Sequence, residues 1–286
     1  MRDFKRIYIE ITNACNLNCS FCPDYKRKRR FMSEEEFEHI ISEVSQYTKY
    51  IFFHVMGEPL LHPLLPRFLD IADRYGLRVN ITTNGVLLGE RADELIGKSA
   101  LRQINVSLHS FDDNRQTMTK QQYMENIFKF IRDTRRFDTL VAMRLWNLDD
   151  TLENEKNGEM LRMIEKEFSL DYRIDEAEFD ARGLTIRKNI FVNQGKRFVW
   201  PSPDNEYIGD RGFCYGLRTH LAVLADGSVV PCCLDSDGLL TLGNIYEQTL
   251  KEIVESERAT AIYNGFTDKR AVEPLCQKCG YKERFV

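Results

Sequence analysis

Three cysteines within eight residues, Cys15-Asn16-Leu17-Asn18-Cys19-Ser20-Phe21-Cys22, carry the densest chemistry in this 286-residue chain. Soft thiolates spaced by three and two residues can surround one corner of a cubic iron–sulfur cluster and leave one iron without a protein ligand. An iron with a vacant position can bind and activate a small molecule. A closed zinc site would need a fourth ligand, and the loop holds no His; the nearest, His39, falls in an expected helix. With no signal peptide ahead of the motif, disulfides are not expected.

A second set lies in the C-terminal third: Cys214, Cys232, Cys233, Cys276 and Cys279. Ala225-Asp226-Gly227-Ser228 reads as a hairpin turn between Leu221–Leu224 and Val229-Val230. That hairpin places one cysteine before its first strand and another after its second. Cys276-Gln277-Lys278-Cys279 adds a C-x-x-C pair beyond a helix expected over about 246–257. Four such thiolates would close a zinc site or a second iron–sulfur cluster.

The elements that must position these cysteines alternate between two periods. Apolar strand-like runs occur at Ile7–Ile11, Tyr50–Met56, Leu77–Ile81, Ile104–His109 and Leu140–Trp146. Helical patterns separate them. The first opens at Ser33 with Glu36 three residues on, a capping box, and presents Phe37, Ile40, Ile41 and Val44 on one face. Others are expected over 63–75, 90–96, 120–135 and 160–168. The order implies right-handed parallel β/α units. The fold class is therefore α/β, a partial (β/α)6 TIM-like barrel over residues 1–204, with a small C-terminal α+β module over 205–286. Within the barrel, 147–159 is polar, 155–204 is weakly patterned, and 172–199 has room for two strands, with alternation at Leu184–Arg187. Barrel sites sit at the C-terminal ends of strands, where the cysteine loop, Glu58, Asn84, Ser107 and Arg144 fall. His54, His62 and His109 read as structural. Lys26–Arg30, five cations in a row, reads as a solvated loop or an anion-attracting rim.

The first motif, with aromatic Phe21 before its last cysteine, resembles the signature of radical S-adenosylmethionine (radical SAM) enzymes. The resemblance implies that Cys15, Cys19 and Cys22 hold a 4Fe–4S cluster whose open iron binds SAM. One-electron reduction, supplied by an external flavodoxin- or ferredoxin-type carrier, then yields a 5′-deoxyadenosyl radical that abstracts a substrate hydrogen. Gly57-Glu58 resembles the family's segment for the SAM ammonium, and Asn84 a residue lining the SAM pocket. Ser107 and Arg144 become candidates for the ribose hydroxyls and the SAM carboxylate, for which a planar guanidinium suits bidentate binding. The second set resembles the family's SPASM auxiliary-cluster domain and its shortened twitch form. Five cysteines instead of seven imply one auxiliary cluster held by Cys214, Cys232, Cys276 and Cys279. Cys233 is then a buried small residue, an alternative ligand, or a hydrogen-atom donor.

Net charge is −4 and hydrophobic content 43%, which calls for no nucleic-acid partner, and no apolar run approaches the ~18 residues of a membrane span. A cytoplasmic protein is expected. Only fourteen residues precede Cys15, which favours a small-molecule substrate over a peptide bound through its leader. The expected activity is a dehydrogenase-type oxidation with the auxiliary cluster as electron acceptor. Maturation of a ribosomal peptide is the alternative among enzymes, and a metal-stabilised binding protein the alternative outside them.

Overall fold

Parallel strands followed by amphipathic helices make up most of the chain, as the alternating periods require. The structure, a computed structural model, describes residues 3–114, 117–149, 154–180 and 182–285. Positions 150–153 of the polar 147–159 stretch lie outside the described residues. The chain divides into two compact units, one of Met1–Cys15, Cys22–Val79 and Val199–Val286, the other of Asn16–Phe21 and Asn80–Phe198. Within each unit the paired strands are mostly parallel, the α/β arrangement of a partial barrel with a C-terminal module.

In the first unit, β1 (Arg6–Ile9) pairs in parallel with β2 (Tyr50–Phe53). Between them runs α1 (Glu34–Val44), which opens with the expected capping box: Glu36 N donates to Ser33 Oγ at 3.2 Å and Ser33 N to Glu36 Oε2 at 2.8 Å. α2 (Leu65–Arg74) follows β2, and Phe37 of α1 stacks on Phe68 of α2 at 4.1 Å while meeting Phe53 edge-on. Ile7, Ile9, Ile51 and Phe53 are fully buried on this helix-covered face. Period-two geometry turns Arg6, Tyr8 and Phe52 to the opposite face, where each is only half-buried.

In the second unit, β3 (Arg78–Thr83, from Asn80 on) leads to α3 (Leu88–Leu95), β4 (Leu101–Ser107), the one-turn α4 (His109–Asp112), α5 (Lys120–Thr134), β5 (Leu140–Leu148) and α6 (Asn157–Glu167). The 172–199 segment forms two strands, β6 (Leu184–Arg187) and β7 (Ile190–Lys196), and β7 pairs in parallel with β5 as β6 turns back antiparallel on it. The strand expected to end at His109 stops at Ser107, because Leu108 enters the helical region and starts α4.

The C-terminal hairpin, again in the first unit, is β8 (His220–Val223) and β9 (Ser228–Val230), followed by β10 (Gly243–Asn244). β8 pairs along its whole length with β1, in parallel, from Arg6↔His220 to Ile9↔Val223. The helix expected over 246–257 is shorter, α7 (Leu250–Glu255). A further helix, α8 (Glu257–Thr267), and one turn, α9 (Pro274–Gln277), precede Cys279. Ser256 both ends α7 and caps α8 through Ala259 N.

Candidate active site

Each unit fixes its own part of the cysteine loop. Within the first unit, the chain returning from Cys22 runs back along residues 11–13. Met32 N donates to Ile11 O at 2.9 Å, Thr12 Oγ1 to Arg30 O at 2.7 Å, and Asn13 Nδ2 to Lys28 O at 3.0 Å. Asn13 Oδ1 accepts from Arg30 N at 2.7 Å, and the Tyr25 hydroxyl donates to Asn13 O. Beneath this return lies a buried ion pair. Arg27 grips Glu10 with both guanidinium nitrogens, at 2.6 and 2.7 Å, and the same carboxylate accepts from Met56 N and Ala225 N at 3.2 Å. Burial pushes the Glu10 carboxyl up, while Arg27 and the two amides hold it back toward its charged form. The five-cation run is therefore neither a plain solvated loop nor a uniform rim. Arg27 is a structural clamp and Arg30 pairs with Glu36, whereas the Lys26, Lys28 and Arg29 side chains stay exposed.

Gly57-Glu58 packs at the base of the loop. Glu58 N donates to Ala14 O at 2.8 Å, and a Cβ on Gly57 would lie 2.4 Å from Thr12 O. Gly57 also has φ +78°, open to glycine and costly for other residues. Glu58 itself is buried, and its carboxylate caps the 3₁₀ turn Pro59–Leu61 by accepting from Leu60 N at 2.9 Å. Gly57→Ala should cost a few kcal/mol, about 1–3 from the backbone alone, plus the clash. The reconstituted variant would show a lower unfolding midpoint and less iron per chain; wild-type values for both would contradict this.

Within the second unit, loop residues 16–21 rest on strand ends. Asn84, just after β3, donates from Nδ2 to Asn16 Oδ1 at 2.8 Å, and Tyr123 of α5 fixes Asn84 O at 2.8 Å. Past β4, Asn114 Oδ1 accepts from Asn18 N at 2.8 Å while its Nδ2 donates to Cys19 Sγ at 3.1 Å. Asp113 takes both the Ser20 amide and its hydroxyl, and Arg197 reaches Ser20 O at 3.2 Å. Phe21 packs on His109 with centroids 4.7 Å apart, and burial pushes the His109 pKa down. Ser107 is the register partner of Arg144, which lies inside β5 and stacks over Trp146 at 4.6 Å. Sequence reasoning missed Asp113, Asn114 and the Glu10–Arg27 pair.

An amide N–H aimed at a metal-bound thiolate draws off charge and raises a cluster's reduction potential. Asn114→Ala should shift the potential at this site to more negative values and slow reductive SAM cleavage about 10–100-fold. Spectroelectrochemical titration reads the first and deoxyadenosine yield the second; an unmoved potential would remove Asn114 from this role.

The second thiol set lies wholly in the first unit. Gly216 N donates to Cys214 Sγ at 3.4 Å, and a Cβ at Gly216 would stand 3.8 Å from both that sulfur and Cys232 Cβ. Burial pushes the Cys214, Cys232, Cys276 and Cys279 thiols upward. Charge from Cys214 and Cys276 adds to the shift of Cys232, and from Cys214 and Cys279 to that of Cys276. Adjacent buried thiols resist ionising unless a cationic centre takes them as ligands, so this all-sulfur donor set fits a metal cluster. At the cysteine loop, Cys22 is exposed and Cys15 and Cys19 are half-buried. Among the described residues, no three His, Cys, Asp or Glu side chains are gathered tightly enough to chelate one bare ion. Cys233 turns to the Tyr8 hydroxyl, and burial pushes its thiol up to about 11.

Residues 9–155, just over half of the chain, match the radical SAM superfamily, and residues 214–280 match the SPASM iron–sulfur cluster-binding domain. A probable GTP 3′,8-cyclase of Methanococcus maripaludis is 25% identical over 268 residues, covering 85% of this chain and 89% of that protein. The GTP 3′,8-cyclase of Chlorobaculum tepidum is 33% identical over 128 residues, 43% of this chain and 38% of its own. Among solved structures, BtrN in complex with AdoMet and 2-DOIA superposes with TM-score 0.63 at 18% identity, covering 98% of this chain and 94% of that one. Streptococcus suis SuiB bound to its precursor peptide SuiA gives TM-score 0.62 at 15% identity, covering 98% and 70%.

Proposed function

The chain belongs to the radical SAM superfamily, and from that membership we propose that it oxidises or rearranges a small polar molecule after removing one hydrogen atom. When bound, the three-thiolate cluster with SAM supplies a deoxyadenosyl radical, and the auxiliary cluster supplies an acceptor for the electron left on the substrate. The chain's own part is positional. Cys15, Cys19 and Cys22 would ligate the first cluster, and Cys214, Cys232, Cys276 and Cys279 the second. Gly57, Asn84, Ser107 and Arg144 would seat the cosubstrate through backbone approach, amide, hydroxyl and guanidinium respectively. Glu58 contributes mainly by shaping its turn, since its carboxylate already caps that turn.

What supports the small-molecule reading is a relative named for GTP that aligns over 85% of this chain and 89% of its own length. A dehydrogenase outcome follows if the substrate radical bears a hydroxyl: loss of one electron and one proton then gives a carbonyl, with the electron taken by the auxiliary centre. A peptide substrate is the second reading, favoured by SuiB aligning with 98% of this chain. Anaerobic incubation with SAM, reductant and carbon-deuterated substrates, GTP and polyols first and peptides second, tests both. Deuterium in deoxyadenosine from a small molecule supports the proposal, and deuterium from a peptide alone would overturn it. No deoxyadenosine at all would point to a binding protein.

A further inference from the structure

The half-buried sheet face of the first unit carries a cation, Arg6, whose charge acts on Cys233 and Tyr281 beside the second thiol set. Arg6 opens β1 at the level of His220 in β8, and its guanidinium lies over the Phe52 ring at 5.6 Å. Among the described residues no carboxylate pairs with it. Tyr8 is two residues up the same face, packed against Phe52 at 5.3 Å and His220 at 5.9 Å. Arg6, Tyr8, Phe52 and His220 are each half-buried, and Tyr8 packs with Cys233 and Trp200 against the cluster of Val55, Met56, Ala222, Leu224 and Val230.

Its place along the strand suits a substrate. The β8–β9 hairpin returns Cys232 and Cys233 to the start of β1, where Cys233 meets Tyr8. Cys15 follows the other end of the same strand. Arg6 to Glu10 covers about 13 Å of extended chain, the length of a small molecule. A partly buried guanidinium without an anion is costly unless a bound ligand supplies one. His220 does not share the charge, because burial and Arg6 push its pKa down to about 4.

We propose that Arg6, flanked by Tyr8 and His220, is the seat for an oxyanion of the substrate, a carboxylate or a phosphate. This rests on the proposed function only for what happens above the seat; anion binding itself needs neither SAM nor reductant, so the two can fail separately. The test is thermal unfolding of the reconstituted protein in inorganic phosphate or in acetate, each against chloride at equal ionic strength. At about ten times its Kd, the preferred anion should raise the wild-type midpoint by about 2–4 °C, and the better of the two identifies the class. Arg6→Met should lose that response and unfold at a higher temperature than wild type without anion, since an uncompensated cation is gone. Arg6→Lys should keep part of the response. Lys28→Ser/Arg29→Ser, in the exposed basic run, should respond as wild type does. A full anion response in Arg6→Met, a lowered anion-free midpoint in both Arg6 variants, or loss of the response in the Lys28/Arg29 variant would overturn the proposal. So would an Arg6→Met protein whose only change is the potential of the auxiliary centre.

Discussion

Replacing Cys15, Cys19 or Cys22 singly by Ala is expected to bring deoxyadenosine formation down to the level of SAM and reductant alone. Loss of even an outer partner of a metal ligand costs about 10–100-fold, and loss of a ligand from a three-thiolate site should cost more. The phenotype should be selective. Iron should fall by one cluster's worth, with the auxiliary centre still assembled, because its proposed ligands lie elsewhere, flanking the β8–β9 hairpin and in the C-x-x-C segment. Ala at Cys214, Cys232, Cys276 or Cys279 should give the reverse: SAM cleavage persists while substrate conversion is lost. Iron and sulfide counts with product assays read both patterns. Equal loss of SAM cleavage in the two groups would mean the centres do not have separate tasks.

Arg27→Met is expected to be the most damaging substitution outside the cysteines. It strands the Glu10 carboxylate, which has no exposed surface, with two backbone amides and no cation. Breaking a buried pair from one side costs about 3–5 kcal/mol, a large share of the roughly 5–15 kcal/mol that holds a domain folded. The loop's return strand would loosen with it, since Arg27 also donates to Ser236 O at 2.7 Å. Denaturant titration should show a much lower midpoint for Arg27→Met. The double variant Arg27→Met/Glu10→Gln should recover a good part of the loss, because a neutral amide tolerates that setting. A single variant within 1 kcal/mol of wild type would show that the clamp does not hold the loop.

These two expectations mark where the sequence was legible. The cysteine motifs were plain from spacing, and the β/α alternation was plain from period, down to the Ser33–Glu36 capping box. The clamp was not, although its parts were visible. Glu10 is an acid inside the apolar run Ile7–Ile11, and its partner stands in a row of five cations; nothing local says which of the five turns inward. β8 read as half of a local hairpin. Only the tertiary pairing reveals that it lies against β1 and lifts Arg6 to the level of His220. Glu58 had the composition of a ligand, but its amide-capping geometry depends on the turn that follows. Asn114 lay ninety-five residues from Cys19, too far for any periodic pattern to connect them.

The most direct test of the account uses protein with Cys214, Cys232, Cys276 and Cys279 replaced by Ala, so that one centre remains. After anaerobic reconstitution and reduction, its electron paramagnetic resonance spectrum is recorded with and without SAM. A vacant iron at the three-thiolate site predicts a reduced 4Fe–4S signal whose g-values shift on adding SAM. An unchanged spectrum, or zinc in place of iron at Cys15, Cys19 and Cys22, would contradict it.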